Sequence, residues 1–538
     1  MKLSFFKKIS PYLINLLIII LISFFSVSFL KDAFSTRIPV GDIFQFISDG
    51  KIYARWRLPE PIFIPPANPI LTNILAGFLK QEYPEVIAAF LISTWSNIIL
   101  LFLLLFYLQR KIKHKFLLIP FFILLVTNPV AMRAMLTGNS NALFGLLAFL
   151  NLIVYEKNKK IAYLLSAILI LVRYEAITLL GTFLLMDFYF SFFGNKKVCT
   201  KLCLKNLIKK TWFKYAAIGF AITASWFLFV ILWNKYYDHH YGVYYVHEVF
   251  SRSKSIPNLK YLLKFSNLFI GKDWWWDDQS ALINSLLTQI SFVSLFFSFL
   301  ISFRKKNKVI LSYIVFTTFY LLIHTFFPSA SYRYFFPILT PVLICHFYLI
   351  DLFLSKFKTN QHDLLFKTTA LILIFSLSVS ISRFNFRENK LNKEVMNNQH
   401  AEIKAVIKWI AKQEFSEKQY IVGFNMFPYF NKNPMVVYLQ YLTGCNSVRC
   451  IVDRAEFDRK ETIRNLWVVK TADSQILTEF KINEMGANVF NNQLEESCLK
   501  EIHRIDIENT YEWEDERLAI VYEYNYVECQ ELDLGELY

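Results

Sequence analysis

The sequence predicts an α-helical polytopic membrane bundle of about eleven transmembrane helices, followed by a C-terminal α/β domain outside the membrane. Three observations carry this prediction. Of 538 residues, 55% are hydrophobic and only 19% charged, with 55 Phe, 29 Tyr and 11 Trp; a soluble chain of this length cannot hide so much apolar surface. Long apolar runs recur from Leu13 to Ile381 and then stop, each about 17–25 residues, or two shorter pieces broken by Gly, Asn or Arg. Charge is also divided: residues 1–384 carry 40 Lys and Arg against 16 Asp and Glu, and residues 385–538 carry 18 against 26. A membrane part of net +24 is thus joined to a tail of net −8.

The first run, Ser10 to Leu30, follows Lys7 and Lys8 as a signal peptide would. Its apolar core is too long for an h-region and no small-residue cleavage site follows, so it reads as a retained anchor. The basic loops are "QRKIKHK" (109–115), "EKNKK" (156–160), "GNKKVCTKLCLKNLIKK" (194–210), "RKKNK" (304–308) and "SKFKTNQHDLLFK" (355–367). Basic residues in short loops between spans mark the cytoplasmic side, which accounts for the positive charge without nucleic-acid binding. Placing all five inside gives spans near 10–30, 86–108, 116–130, 141–155, 161–172, 175–192, 212–233, 281–303, 309–327, 335–354 and 368–384. The N-terminus is then inside and the C-terminus outside a cytoplasmic (inner) membrane. The transmembrane domain is 1–384, with outer loops 31–85 and 234–280, and the extracytoplasmic domain is 385–538.

In that tail, "HAEIKAVIKWIAKQ" (400–413) has helical spacing, while "QYIVGF" (419–424), "NLWVVK" (465–470) and "LAIVYEYNYV" (518–527) read as strands. Four of the seven cysteines, Cys445, Cys450, Cys498 and Cys529, fall there. An even number in an oxidising compartment suggests two disulfides, with Cys445–Cys450 and Cys498–Cys529 the pairing chosen among three. Four reduced thiols in an ordinary core are the alternative.

Candidate chemistry begins in "GDIFQFISDGKIYARW" (41–56), just after the first span. Asp42 and Asp49 are seven residues apart and share a helical face. Ile43, Phe46, Ile47, Tyr53 and Trp56 make the remainder amphipathic, as in a helix lying on a membrane surface. Asp42 also has the position of an N-cap, with Gln45 three residues on completing a capping box. The two roles are compatible. In "SASYRYFFPIL" (329–339), Arg333 between Tyr332 and Tyr334 suits a phosphate, although an interfacial aromatic belt has the same composition.

Polar residues at membrane depth supply further candidates. "NPVAMRAMLTGNSN" (128–141) brings Arg133, Asn139 and Asn141, and "ILVRYEA" (170–176) brings Arg173 and Glu175. Such groups are tolerated when buried in protein or facing a wet cavity. The loop 234–280 holds His239 and His240, and "GKDWWWDDQS" places Asp273, Trp274, Trp275, Trp276 and Asp277 together. Tryptophan faces beside carboxylates suit a sugar or other acceptor. His239, His240, His247 and Glu248 match no strong metal template, so no metal ligand is assigned, and a divalent ion remains an open alternative. There is no Walker A loop and no GxGxxG, which leaves a nucleotide-driven pump or dinucleotide enzyme without a motif.

Taken together, these stretches resemble the GT-C superfamily of polytopic glycosyltransferases, in the manner of its mannosyl- and aminoarabinose-transferases, with no single subfamily matched. The matching pieces are "GDIFQF" after the first span, "IPPANPILTNIL", the short broken "TGNSNALFGLLAFL", "AILILVRYEA" and "SYRYFFPILTPVL". The resemblance implies transfer of a sugar, hexosyl or pentosyl, from a polyprenyl-phosphate donor at the outer face to a saccharide, lipid or protein acceptor. It places Asp42 as the base and Arg333 at the donor phosphate; Tyr332 joins Arg333 there on composition, and Asp49 is a secondary candidate on its shared helical face alone. Departures from the family pattern are Ile43, where many members carry a second acid, and Asn139-Ser140-Asn141, where others carry an acidic residue. The alternatives are a transporter, flippase or ligase for lipid-linked saccharides, and a scaffold whose tail is the working part. A transporter should show internal repeats, and none is apparent.

Overall fold

The structure, a computed structural model, describes residues 2–34, 43–59, 62, 64–80, 84–136, 138–192, 211–236, 281–325, 332–357, 361–398, 405, 409, 420–423, 466–471, 499–507 and 517–524. Contacts divide the chain into a helical unit that runs to Lys393 and a second unit from Glu394, which also takes in Arg37–Phe44 and Gln81–Tyr83.

The helical unit is built from α1 (Lys2–Ala33), α2 (Ile43–Ala54), α3 (Ala67–Ala76), α4 (Pro84–Lys111), α5 (Leu118–Val126), α6 (Pro129–Leu136), α7 (Ser140–Lys157), α8 (Lys159–Ile168), α9 (Ile177–Phe192), α10 (Thr211–Tyr236), α11 (Ala281–Arg304), α12 (Lys308–His324), α13 (Phe336–Leu354) and most of α14 (Gln361–Asn398). A helix or a pair of helical pieces occupies each of the eleven segments read from hydropathy. Among the described residues five helices are long and apolar enough to cross a membrane, or six if the bent pair Lys115–Val126 and Pro129–Met135, at 51°, is one span. The chain is a multi-pass membrane protein.

The core centres on α7, which packs against α4, α8, α12 and α13. Phe121, Phe122, Phe144, Phe149, Phe183, Phe316 and Phe336 are fully buried in it. Gly145 lets α13 approach: a Cβ there would lie 2.6 Å from the Phe336 ring. Glycine at such a point permits close packing between membrane helices.

At one end of the bundle a polar network ties the helices together. Tyr107 donates to Glu156 at 2.5 Å and Lys111 to its other oxygen at 2.8 Å, while Tyr313 donates to Tyr107 at 2.8 Å. Asp187 accepts from Tyr155 at 2.9 Å, from Tyr163 at 3.1 Å and from Lys159. Asp351 accepts from the backbone of Lys113 and His114, and the His114 ring meets it at 2.7 Å. Asn307 donates to Tyr348 at 3.0 Å. The basic loops 109–115, 156–160 and 304–308 therefore share one end, the grouping that their charge implies.

Two irregular stretches lie towards the other end. At Thr127–Asn128 the chain bends into α6, where Asn128 accepts from the Val130 amide at 2.9 Å and Asn389 of α14 donates to the Thr127 carbonyl at 2.8 Å. The groups freed by the break are thus met by side chains, as apolar surroundings require. The second break separates α8 from α9.

The second unit contains a four-stranded sheet, β1 (Tyr420–Gly423), β2 (Leu466–Thr471), β3 (Leu499–Ile507) and β4 (Arg517–Tyr524), in the order β1-β2-β4-β3. β1 and β2 are parallel and the remaining pairs antiparallel. The strands read from 419–424, 465–470 and 518–527 are present, and β3 is an addition. Of the helix read at 400–413, only residues 405 and 409 are described, both helical; Trp409 stacks on His503 with ring centroids 4.3 Å apart.

Candidate active site

The site is built at the two points where polar residues interrupt apolar sequence. After α8 the chain makes a 3₁₀ turn, Leu169–Leu171, then passes through Arg173 in extended conformation before a second turn, Tyr174–Ala176, opens α9. The extended residue takes Arg173 off the helix path and turns its side chain inward. Its guanidinium donates to both oxygens of Glu175, Nε at 3.1 Å and Nη2 at 2.5 Å, and Nη1 donates to the Ser140 hydroxyl at 3.2 Å. It also lies 5.4 Å from the centroid of the Tyr334 ring. Arg173, Glu175 and Ser140 are all buried. A planar guanidinium suits this arrangement because it forks onto a carboxylate and stacks on an aromatic at once.

His324, the last residue of α12, completes the cluster. Its Nε2 is 3.9 Å from Glu175 Oε1, and Nδ1 donates to the Tyr320 carbonyl at 2.8 Å. Its ring lies 4.4 Å from the Tyr320 ring and 5.9 Å from that of Tyr334. Four elements converge here: α7, the α8–α9 break, α12 and the 3₁₀ turn Tyr332–Phe335 that precedes α13. Arg333 lies in that turn; the side chains of Tyr332 and Arg333 fall outside the described residues. The turn packs against α6, where Arg133 is half-buried.

Asn139 and Asn141 are buried where α7 begins, after Gly138 in the left-handed region at φ 58°. Asn139 is the N-cap: its side-chain oxygen accepts from the Asn141 amide at 3.0 Å and from Asn141 Nδ2 at 2.7 Å. Its carbonyl accepts from Ser93 of α4 at 2.8 Å. The Asn139 side chain is occupied in holding the helix start that presents Ser140 to Arg173.

The first loop reaches the same cluster. Asp42 lies outside the described residues; the helix that follows begins at Ile43. Asp49 is on α2 and only 1% exposed. Its charge and, more strongly, burial raise the pKa of Tyr53, keeping that hydroxyl protonated. Tyr174, next to Arg173 in sequence, packs with Ile62, which ties the first loop to the Arg173 cluster. Downstream, Pro59 accepts from the Trp233 indole at 2.9 Å, and Asn234 pairs with both backbone groups of Ile62 at 2.8 and 3.1 Å. Ile62, Ile170, Tyr174 and Val230 form a small apolar cluster behind these bonds. Trp56, grouped by sequence with the amphipathic face, lies just past the end of α2, exposed and at a left-handed φ of 58°.

No protein-family model matches the chain, and no curated protein matches its sequence. Solved structures do. ArnT from Cupriavidus metallidurans, bound to undecaprenyl phosphate, is similar over 94% of this chain and 97% of its own, with a TM-score of 0.54 and 10% identity. The apo oligosaccharyltransferase of Archaeoglobus fulgidus is similar over 88% of this chain and 71% of its own, with a TM-score of 0.50 and 10% identity. Both are GT-C glycosyltransferases. The chain has the GT-C fold.

Within the GT-C fold, the structure brings Arg173, Glu175 and the turn carrying Arg333 together, with the Asn139–Asn141 helix start beside them. Asp273, Trp274, Trp275, Trp276, Asp277, His239 and His240 lie outside the described residues, as do Cys445, Cys450, Cys498 and Cys529. Among the described residues no three His, Cys, Asp or Glu side chains gather as a metal site. Sequence reading missed Ser140 and His324. His324 carried a faint signal, as the lone histidine closing the run "FYLLIH".

Proposed function

We propose that this protein is a glycosyltransferase that moves a sugar from a polyprenyl-phosphate donor to an acceptor at the outer face of the cytoplasmic membrane. The observation that carries the reading is the shared fold with ArnT bound to undecaprenyl phosphate over nearly the whole chain. A buried arginine cluster next to the turn bearing Arg333 supports it. In this reading the chain crosses the membrane about eleven times, N-terminus inside, with an extracytoplasmic α/β domain after the last span.

The chemistry needs few parts. An acceptor hydroxyl or amine attacks the anomeric carbon, the carbon–oxygen bond to phosphate breaks, and polyprenyl phosphate leaves with the electron pair. Asp42 takes the acceptor proton as general base, and Arg333 with Tyr332 stabilises the departing phosphate. Asp49, two turns along α2, is the second candidate for the base. The donor carries its own leaving group, so no nucleotide is required.

The test is transfer from labelled polyprenyl-phosphate sugars by the full chain in lipid nanodiscs. Asp42→Asn should lower transfer by at least about 100-fold while membrane insertion is unchanged. Full transfer by that variant rules out Asp42 as the base, and no transfer from any such donor by the wild type rules out the activity.

A further inference from the structure

The helix after the proline cluster is inside out. On α3, Ile70, Leu71 and Ile74 are exposed, whereas Asn68 is 1% exposed and Thr72 fully buried. A helix of a soluble protein has the opposite arrangement. At a membrane the apolar side turns to lipid, and polar side chains kept inside mark a site or pathway.

Asn68 and Thr72 stand four residues apart and so share one stripe of α3. Among the described residues neither end of the Asn68 amide has a hydrogen-bond partner, and neither does the Thr72 hydroxyl. Burying three such groups unmet is costly, and native proteins rarely do so without a reason.

α3 packs along its length on α4 and touches α2 at one point. A Cβ at Gly50 would lie 2.6 Å from the Pro69 carbonyl oxygen and 3.2 Å from Asn73 Cβ, so the two helices touch almost backbone to backbone. Flanking that contact on α2 are buried Asp49 and, one turn on, Tyr53, whose hydroxyl also lacks a hydrogen-bond partner among the described residues. Asn68 and Thr72 are thus buried, unmet, on the helix whose neighbouring stripe touches α2 next to its buried acid.

We propose that Asn68 and Thr72 form a saccharide subsite at the α2–α3 crossing, binding two adjacent hydroxyls of a sugar ring. A carboxamide presents an acceptor and a donor side by side, which pairs with a vicinal diol; the Thr72 hydroxyl supplies a third bond. A phosphate fits poorly, since the amide oxygen only accepts and would face phosphate oxygens. The inference deepens the transferase reading, on which it rests for the source of the sugar.

The experiment uses the full chain in nanodiscs and two separate probes. Saturation-transfer NMR is recorded with D-mannose, D-glucose, D-galactose and N-acetyl-D-glucosamine, and binding of undecaprenyl phosphate is measured independently. At least one hexose should bind the wild type, about tenfold more weakly to Asn68→Leu and severalfold more weakly to Thr72→Val. Undecaprenyl phosphate should bind all three alike. If the wild type binds no hexose, or the hexose binds both variants as it binds the wild type, the subsite is overturned. Thr72→Val is nearly isosteric and decides the matter if Asn68→Leu fails to fold. Hexose binding without any binding of undecaprenyl phosphate overturns the lipid-donor reading and leaves the subsite standing.

Discussion

Arg173 joins three parts of the bundle through one side chain: Glu175 in the turn before α9, Ser140 at the start of α7, and Tyr334 before α13. A lysine carries the same charge but cannot fork onto the carboxylate, reach the hydroxyl and lie over the ring together. Arg173→Lys should therefore lower sugar transfer by roughly tenfold or more, the scale of one lost charge-assisted hydrogen bond. Arg173→Ala strands the Glu175 carboxylate in a buried site and should cost about 3–5 kcal/mol of stability. Removing both should cost less than the sum of the single changes, because the pair is one coupled unit. Thermal unfolding of the four proteins in nanodiscs checks this; strict additivity refutes the coupling. Sequence brought Arg173 and Glu175 forward as a pair near the membrane face, since they stand two residues apart. Ser140 and His324 lie 33 and 149 residues from these partners, and no local pattern signals contacts at such separation.

At the scale of elements, the site depends on helices that stop short. The breaks at Thr127–Asn128 and Arg173–Tyr174 were legible as polar interruptions of apolar runs, because every backbone group within a membrane must be satisfied and interruptions imply buried partners. What the interruptions would meet was not legible, since the Thr127 carbonyl is capped by Asn389 from the far end of the unit. Strand β3 escaped for a different reason. "LKEIHRIDI" is rich in charge, and a register shift between Glu501 and His503 disturbs its alternation. The glycine contacts give two predictions. Gly145→Ala drives a methyl group into the Phe336 ring and should destabilise the α7–α13 packing by about 1–3 kcal/mol, read as a lower melting temperature. At Gly50 the obstacle is the Pro69 carbonyl, a backbone atom that cannot rotate away. Gly50→Ala should therefore lift α2 from α3 and depress transfer by more than tenfold, with the bundle still folded by circular dichroism. Unchanged activity in Gly50→Ala would show that the α2–α3 crossing does not hold the reacting groups.

Within the helical unit, the basic network and the Arg173 cluster sit at opposite ends. The network of Lys111, Glu156, Lys159, Asp187, His114 and Asp351 gathers the short basic loops at one end, away from the Arg173 cluster. Lys and Arg in short loops resist translocation, so that end should face the cytoplasm and the Arg173 end the outside. A lipid phosphate leaving group flipped to the outer leaflet would then meet the site without a soluble nucleotide sugar, which is confined to the cytoplasm. The orientation is testable without any enzyme assay. Cys345 is buried, and Cys199 and Cys203 fall within the basic loop 194–210, so this loop is a natural reporter once Cys445, Cys450, Cys498 and Cys529 are replaced by serine. In intact cells a membrane-impermeant maleimide should leave Cys199 and Cys203 unmodified, and permeabilisation should expose them. A single cysteine placed at the exposed Trp56 should behave in the opposite way, reacting before permeabilisation. Labelling of Cys199 and Cys203 in intact cells would invert the topology, and with it the side of the membrane on which the sugar donor must be presented.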